Sequence, residues 1–280
     1  MRPIRITGAL VTLAALLLAN PLPGAAAEGG PWPRIEVRSL ANAAGMVSVD
    51  VEIADDPVYG TAKRYRGIPL EDVLSLIADI DRYEAEGALA VFEAADGYVA
   101  TMALHTARAG GGVIATRDLD APSGNTWIPL KQHGGTVTPA PLYLVWPGVA
   151  ADDWSYVWPY QLVAIAIKPF AAQYGAAVPG TDAPAVRRGF DVARVHCLKC
   201  HSVNLAGGDL GPELNVPMSV TEYWRPEALP AFIADPLSFR AGARMPVFAG
   251  TLDGDEIADV LAYLAFMAGY KVCGGAKACE

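Results

Sequence analysis

Residues 197–201 read Cys-Leu-Lys-Cys-His, a C-x-x-C-H run that constrains the chain more tightly than any other stretch. Two thiols three positions apart, followed at once by an imidazole, form the pattern used for covalent attachment of c-type haem. In that chemistry the sulfurs add across the two vinyl groups of the porphyrin and the histidine ligates the iron. The motif therefore predicts one covalent haem c, anchored by Cys197 and Cys200 and ligated by His201.

Three other interpretations of the motif are open. A structural zinc site needs a second Cys/His pair at finger-like spacing, and the remaining cysteines, Cys273 and Cys279, lie far downstream. A thioredoxin-like redox pair belongs in a βαβ context and needs no histidine after it. A chance match is the third. Haem attachment explains all three residues of the motif at once.

The N-terminus predicts export. Arg2 and Arg5 precede an uncharged, mostly apolar stretch over residues 6–19, and residues 25–27 offer a small-residue cleavage site. This is the layout of a secretory signal peptide, so we expect residues 1–27 to be removed. The apolar stretch is shorter than the roughly 20 residues of a membrane-spanning helix, which makes a permanent anchor the less favoured alternative. We therefore expect a periplasmic protein with no permanent membrane span.

Composition limits the classes of protein that fit. The chain has 280 residues, of which 52% are hydrophobic and 18% charged, a profile typical of globular proteins. This length suits one large domain or two of ordinary size. The formal net charge of −9 argues against nucleic acid or anionic lipid as a partner. An acidic surface suits a basic docking partner, or it serves solubility alone.

Helical patterns surround the C-x-x-C-H motif. Residues 178–184 contain two prolines and a glycine, which predicts a linker. Apolar residues at helical spacing predict one helix over 185–195, directly before the motif, and another over 226–234. A last helix is predicted to begin at Asp253, where Glu256 three residues later indicates a capping box.

The C-terminal part resembles the class I c-type cytochromes. The resemblance is carried by G-G-D-L-G-P at 207–212, M-P-V-F at 245–248 and E-I-x-x-V-x-x-Y-L at 256–264. It implies an all-α cytochrome c domain over residues 185–272. It also implies that the carbonyl of Pro212 accepts a hydrogen bond from the second ring nitrogen of His201, and that Met245 is the second iron ligand.

The other methionines are weaker candidates for that ligand. Met218 follows His201 too closely to cross from one face of a haem to the other, and Met267 lies on the apolar face of the predicted last helix. The remaining candidates, Met46 and Met102, belong to the N-terminal half. A thioether opposite a histidine closes the iron coordination sphere and raises the reduction potential. A closed sphere favours electron transfer over catalysis at the haem.

The N-terminal half, residues 28–177, is predicted to be mixed α/β. Alternating β-branched residues separated by glycine or proline turns predict strands within 35–37, 46–53, 88–104, 112–116, 141–146 and 160–167. A short amphipathic helix is predicted over 68–77. The whole chain is thus expected to be α+β.

This half resembles, more weakly, the molybdopterin-binding fold of the sulfite oxidase family. The matching segments are 66–74, 95–98, 141–148 and 158–167. That family binds molybdenum through a cysteine thiolate, whereas the first cysteine of this chain is Cys197, and its strand arginine is replaced here by Leu142-Tyr143. We therefore expect a degenerate domain without molybdopterin, acting as a cofactor-free relic or a partner-docking module.

Together these features predict a periplasmic electron-transfer protein without catalytic residues, which takes electrons from a dehydrogenase or other redox protein and passes them to a cytochrome or oxidase. The alternative is a single-chain molybdenum–haem oxidoreductase of the sulfite dehydrogenase type. A docking subunit of a larger redox complex is a third interpretation.

In the tail, residues 273–280, oxidation on export would join Cys273 and Cys279 in a disulfide. Free thiols or intermolecular pairing are the alternatives.

Overall fold

The fold is seen in a computed structural model that describes residues 32–38, 46–132, 135–273 and 277–278. The predicted signal peptide lies outside the described residues, and so does the predicted pairing of Cys273 with Cys279. Within those ranges, no helix combines the length and the apolar character needed to cross a bilayer.

The N-terminal part, residues 32–177, is built on two antiparallel sheets. Its strands are, in chain order, β1 (Arg34–Glu36), β2 (Val49–Asp56), β3 (Thr61–Pro69), β4 (Leu89–Ala94), β5 (Val99–Ala103), β6 (Val113–Asp118), β7 (Leu130–Gln132), β8 (Gly135–Val137), β9 (Tyr143–Val145) and β10 (Leu162–Lys168). The first sheet has the order β1-β10-β4-β5 and the second β2-β3-β6-β9, while β7 pairs with β8. Its helices are α1 (Leu70–Leu74), α2 (Ile80–Ala85), α3 (Leu104–Ala109) and α4 (Phe170–Tyr174).

The second sheet separates two hydrophobic cores. On β6, Ile114 packs into the main core with Phe92 and Trp146, whereas its neighbour Val113 packs into a smaller core beside Tyr65. Successive side chains of a strand point to opposite faces, so a sheet with a core on each side shows continuous rather than alternating burial. This is why β6 and β9 read as short apolar runs in the sequence.

The mixed α/β prediction for this part is confirmed, although individual elements differ. Strand β3 was not predicted, because its buried Lys63 and the exposed Arg64 and Arg66 give it a polar sequence. The helix predicted over 68–77 is the five-residue α1. The stretch in which strands were predicted over 88–104 is a hairpin of β4 and β5.

The C-terminal part, residues 178–278, is mainly helical. Its helices are α5 (Pro184–His196), α6 (Val220–Tyr223), α7 (Ala228–Ala234), α8 (Pro236–Phe239) and α9 (Gly254–Ala268). Two-residue ladders also occur, formed by β11 (Ser202–Val203) with β12 (Ala206–Gly207) and by β13 (Val272–Cys273) with β14 (Lys277–Ala278). Helices are therefore present at the three predicted places: directly before the motif, within 226–234 and after Asp253.

Helices α5 and α9 cross at close range. A side-chain carbon added at Gly189 would lie 1.9 Å from the carbonyl oxygen of Asp259, so only glycine permits this approach. Asp253 caps α9, since its side chain accepts from the backbone N–H of Glu256 at 2.8 Å, and Glu256 accepts in return from the N–H of Asp253 at 2.9 Å. The capping box predicted from the sequence is confirmed.

The predicted linker over residues 178–184 lies between the start of α5 and residues that pack into the C-terminal core. Pro184 is the first residue of α5, a position that suits proline because no helical N–H is required there. Tyr174 and Ala177 precede the predicted linker, yet both pack into the C-terminal core, and the Tyr263 hydroxyl donates to the carbonyl of Ala177 at 2.8 Å. Trp32–Glu280 cluster as one compact unit; the division into two domains stays a prediction.

Candidate functional site

The C-x-x-C-H motif forms one tight turn at the end of α5. The carbonyl of Cys197 accepts from the N–H of Cys200 at 3.1 Å and from that of His201 at 2.9 Å. Residues three apart on such a turn share one side, so the two sulfurs are presented together. Both thiols are free and partly buried. We call residues 197–201 the attachment segment.

Burial keeps the two thiols protonated. It raises the pKa of Cys197 to about 12 and that of Cys200 to about 11. Among the described residues, no three His, Cys, Asp or Glu side chains come together in a group that could hold a metal ion.

His201 is held in one tautomer. Its Nδ1 lies 2.6 Å from the carbonyl oxygen of Pro212. A carbonyl can only accept, so Nδ1 must carry the proton and Nε2 keeps its lone pair. Burial also lowers the pKa of His201, which favours the neutral imidazole. A neutral histidine whose second nitrogen is fixed by a carbonyl is the arrangement found at metal-ligating histidines.

The loop over residues 207–212 packs directly on the attachment segment. Gly208 donates to the carbonyl of Leu198 at 2.9 Å, and Gly211 donates to that of Cys200 at 2.7 Å. A side-chain carbon on Gly211 would lie 2.5 Å from Cε1 and 2.9 Å from Nε2 of His201. Glycine at this position therefore lets the loop lie flat against the imidazole ring.

Met245 lies at the periphery of the C-terminal hydrophobic core. It is partly buried and packs against the same hydrophobic cluster as Cys197. Its segment is tied to α7, since the N–H of Phe248 donates to the carbonyl of Ala234 at 3.0 Å. Among the alternatives, Met267 is 2% exposed within that core and Met218 is 55% exposed on the surface.

The residues present fit a covalently bound haem. They provide two thiols on one side of a turn, a neutral imidazole with a free Nε2, and a thioether on a neighbouring loop. Two further methionines, Met46 and Met102, pack against the main N-terminal core.

Sequence reasoning missed the contribution of the N-terminal part to this site. The N–H of Val99 on β5 donates to the carbonyl of Lys199 at 2.8 Å. Trp154 packs edge-on against His196, with ring centroids 4.9 Å apart, and lies below the ammonium group of Lys199. The Nδ1 atom of His196 is buried and has no hydrogen-bond partner within the described structure. No local pattern in the sequence signals these contacts.

The comparisons with known proteins agree with this geometry. Residues 184–264 match a family model described as cytochrome C oxidase, cbb3-type, subunit III. The chain matches no curated protein. The match confirms the prediction of a C-terminal cytochrome c domain, and such a domain implies haem c and haem-based electron transfer. It covers less than a third of the chain and does not reach the N-terminal part, whose resemblance to the sulfite oxidase family stays a prediction.

Proposed function

We propose that this protein is an exported c-type cytochrome that transfers single electrons through one covalently bound haem. Cys197 and Cys200 anchor the haem, His201 ligates its iron through Nε2, and Met245 supplies the opposite ligand. The observation that carries the proposal is the fixed tautomer of His201, because a proton on Nδ1 leaves Nε2 with no role other than to accept or to ligate.

Attachment needs no oxidant. Each thiol adds across one vinyl group, so that sulfur bonds to one vinyl carbon and the thiol hydrogen ends on the other. Cys197 and Cys200 are free thiols held on one turn, as this addition requires. When bound, the haem supplies a one-electron iron couple. His201 and Met245 on opposite sides would leave no open position for a substrate, which favours electron transfer over catalysis.

The export signal and the acidic surface support a place in a periplasmic electron-transfer chain. The donor would be a dehydrogenase or another redox protein, and the acceptor a cytochrome or an oxidase. The net charge of −9 favours a partner with a basic docking face. The N-terminal part would act without molybdopterin, as a relic of a sulfite-oxidase-like domain that now serves the cytochrome or its partner.

The test is expression with the native leader in a bacterium that attaches haem c, followed by haem staining after denaturing electrophoresis. We expect a stained band for the natural sequence and for Cys273→Ser, which changes a cysteine outside the motif, and no stain for Cys197→Ser/Cys200→Ser. A colourless natural protein overturns the proposal. Metal analysis of the same sample tests the alternative, because stoichiometric molybdenum would identify a molybdenum–haem oxidoreductase.

A further inference from the structure

The turn between β4 and β5 reaches out of the N-terminal part toward the haem-attachment segment. Its four residues run from Asp96 to Val99, and the side chain of Asp96 accepts from the N–H of Tyr98 at 3.1 Å. Gly97 has φ +91°, a backbone conformation that other residues rarely adopt. We call residues 96–99 the docking turn.

The docking turn completes the hydrogen bonding of the attachment segment. The carbonyls of Cys197, Leu198, Cys200 and His201 accept from N–H groups of the C-terminal part. The carbonyl of Lys199 accepts instead from Val99, at 2.8 Å. A backbone carbonyl shielded from water needs a donor, and the structure gives Lys199 a donor from the N-terminal part.

The same contact covers the edge of a sheet. β5 is the last strand in the order β1-β10-β4-β5, so one side of its backbone has no neighbouring strand. Val99 is the first residue of that strand, and its N–H is used by Lys199. Two residues along, the Thr101 hydroxyl lies 2.8 Å from the hydroxyl of Tyr174, which belongs to the C-terminal core. The edge of β5 thus contacts the attachment segment at Val99, and the side chain of Thr101 on the same strand contacts Tyr174 of α4.

The docking turn also contacts the loop that holds His201. The N–H of Asp209 donates to the carbonyl of Gly97 at 3.1 Å. The space a side chain at Gly97 would need is already filled, since an added carbon would lie 2.0 Å from Oδ1 of Asp209. Asp209 lies between Gly208 and Gly211, the two glycines whose N–H groups bind the attachment segment. One turn therefore contacts both the segment that bonds the haem and the loop that orients its histidine.

We propose that the docking turn is a positioning element of the haem site, through which the N-terminal part raises the reduction potential of the haem. This inference rests on the proposed function. The turn acts by fixing the backbone at Lys199 and Asp209 and by keeping water from that side of the attachment segment.

The direction of the effect follows from electrostatics. The oxidised haem carries one more positive charge than the reduced haem, and water stabilises that charge better than a protein interior does. A contact that excludes water therefore favours the reduced form and raises the potential. Loosening the docking turn admits water and lowers the potential.

Gly97→Ala tests this, with Gly124→Ala as the matched control. Gly124 has nearly the same backbone conformation, φ +90°, but an added carbon there meets nothing within 4 Å. Both substitutions strain the backbone, and only the first one pushes on Asp209. We expect the midpoint potential, measured by spectroelectrochemistry, to fall in Gly97→Ala and to stay at the natural value in Gly124→Ala.

A second substitution separates positioning from misfolding. Asp209→Ala removes the two atoms nearest to the added carbon, Oδ1 and Cγ, so the double variant Gly97→Ala/Asp209→Ala should recover the potential at least in part. Amide hydrogen exchange gives a readout independent of the haem: the N–H of Val99 should lose protection in Gly97→Ala and regain it in the double variant.

The outcomes distinguish this inference from the proposed function. If the natural protein carries no haem, the proposed function fails first. If haem is bound and Gly97→Ala leaves the potential unchanged while Val99 loses protection, the docking turn is structural only and the inference is overturned. An equal fall in Gly124→Ala would overturn it as well, because backbone strain would then explain the change.

Discussion

The Nδ1 atom of His201 lies 2.6 Å from the carbonyl oxygen of Pro212, eleven residues further along the chain. The loop between them can approach the ring because Gly211 has no side chain to intervene. This contact fixes both the tautomer and the plane of the imidazole. The orientation of the proposed iron ligand therefore depends on a loop rather than on the helix that precedes the motif.

Replacing Gly211 should disturb that orientation. In Gly211→Ala the new carbon would fall 2.5 Å from Cε1 and 2.7 Å from Nδ1 of His201, so the ring or the loop must move. Overpacking of this kind costs about 1–3 kcal/mol. We expect a lower thermal unfolding midpoint and an absorption spectrum that shows weakened histidine ligation. Gly180→Ala, where an added carbon meets nothing within 4 Å, should change neither, and an unaltered spectrum in Gly211→Ala would refute the role given to this glycine.

The assignment of Met245 leads to a second prediction. Met245→Ala removes the proposed thioether ligand, so the reduction potential should fall and the weak far-red band of sulfur–iron ligation should disappear from the oxidised spectrum. Met218→Ala is the control, because Met218 is 55% exposed and lies closer to the motif in sequence. Loss of the band in Met218→Ala instead would reassign the ligand.

What could be predicted from the sequence was local. The capping box of Asp253 and Glu256 involves groups three residues apart, and both of its hydrogen bonds are present. The turn of the attachment segment is local in the same sense, since Cys197 accepts from Cys200 and His201. Interactions of this kind depend on few residues, and the sequence pattern contains all of them.

What could not be predicted depends on distant residues. The bond from Val99 to Lys199 joins positions one hundred residues apart, and nothing in either neighbourhood marks the pair. Strand β3 was missed because Lys63, a residue type that is rarely buried, points inward there. Its burial is stabilised by Asp118 on β6, so the strand is recognisable only once the sheet is assembled.

That buried pair gives a third prediction. Nζ of Lys63 lies 2.7 Å from Oδ2 of Asp118, and the two side chains are 4% and 0% exposed. Lys63→Met leaves an uncompensated buried carboxylate, which should reduce the free energy of unfolding by about 3–5 kcal/mol. The double variant Lys63→Met/Asp118→Asn should recover part of that loss, since the amide oxygen still accepts from the backbone.

The solvent-exposed pair of Arg66 and Asp50 serves as the comparison for urea unfolding. Its side chains are 52% and 53% exposed, although Nε of Arg66 lies 2.6 Å from Oδ1 of Asp50. Arg66→Met should change the unfolding midpoint little, because exposed ion pairs are screened by water. Equal losses in Arg66→Met and Lys63→Met would contradict the view that burial, rather than pairing distance, sets the cost.

The fourth prediction concerns pH and the carboxylate of Asp56. This side chain is fully buried and accepts from the hydroxyls of Tyr65 at 2.8 Å and Tyr143 at 3.2 Å. Burial raises the pKa of Asp56 although the tyrosine hydrogen bonds act to lower it. Because its pKa is raised in the folded state, the stability that this group contributes is present below its unfolded pKa and is lost as the pH rises through the folded value.

Tyr65→Phe removes a donor that stabilises the ionised carboxylate, so it should raise the pKa of Asp56 further. The loss in unfolding free energy should be about 1.5–3 kcal/mol at a pH above the raised pKa of Asp56, where the hydrogen bond is to a charged group. It should shrink as the pH falls through the raised pKa of Asp56, because the carboxyl becomes protonated there. Tyr223→Phe, at a side chain that is 53% exposed, should show no such dependence. Urea unfolding of both variants across this range is the measurement, and a loss for Tyr65→Phe that does not vary with pH would show that Asp56 stays in one protonation state throughout.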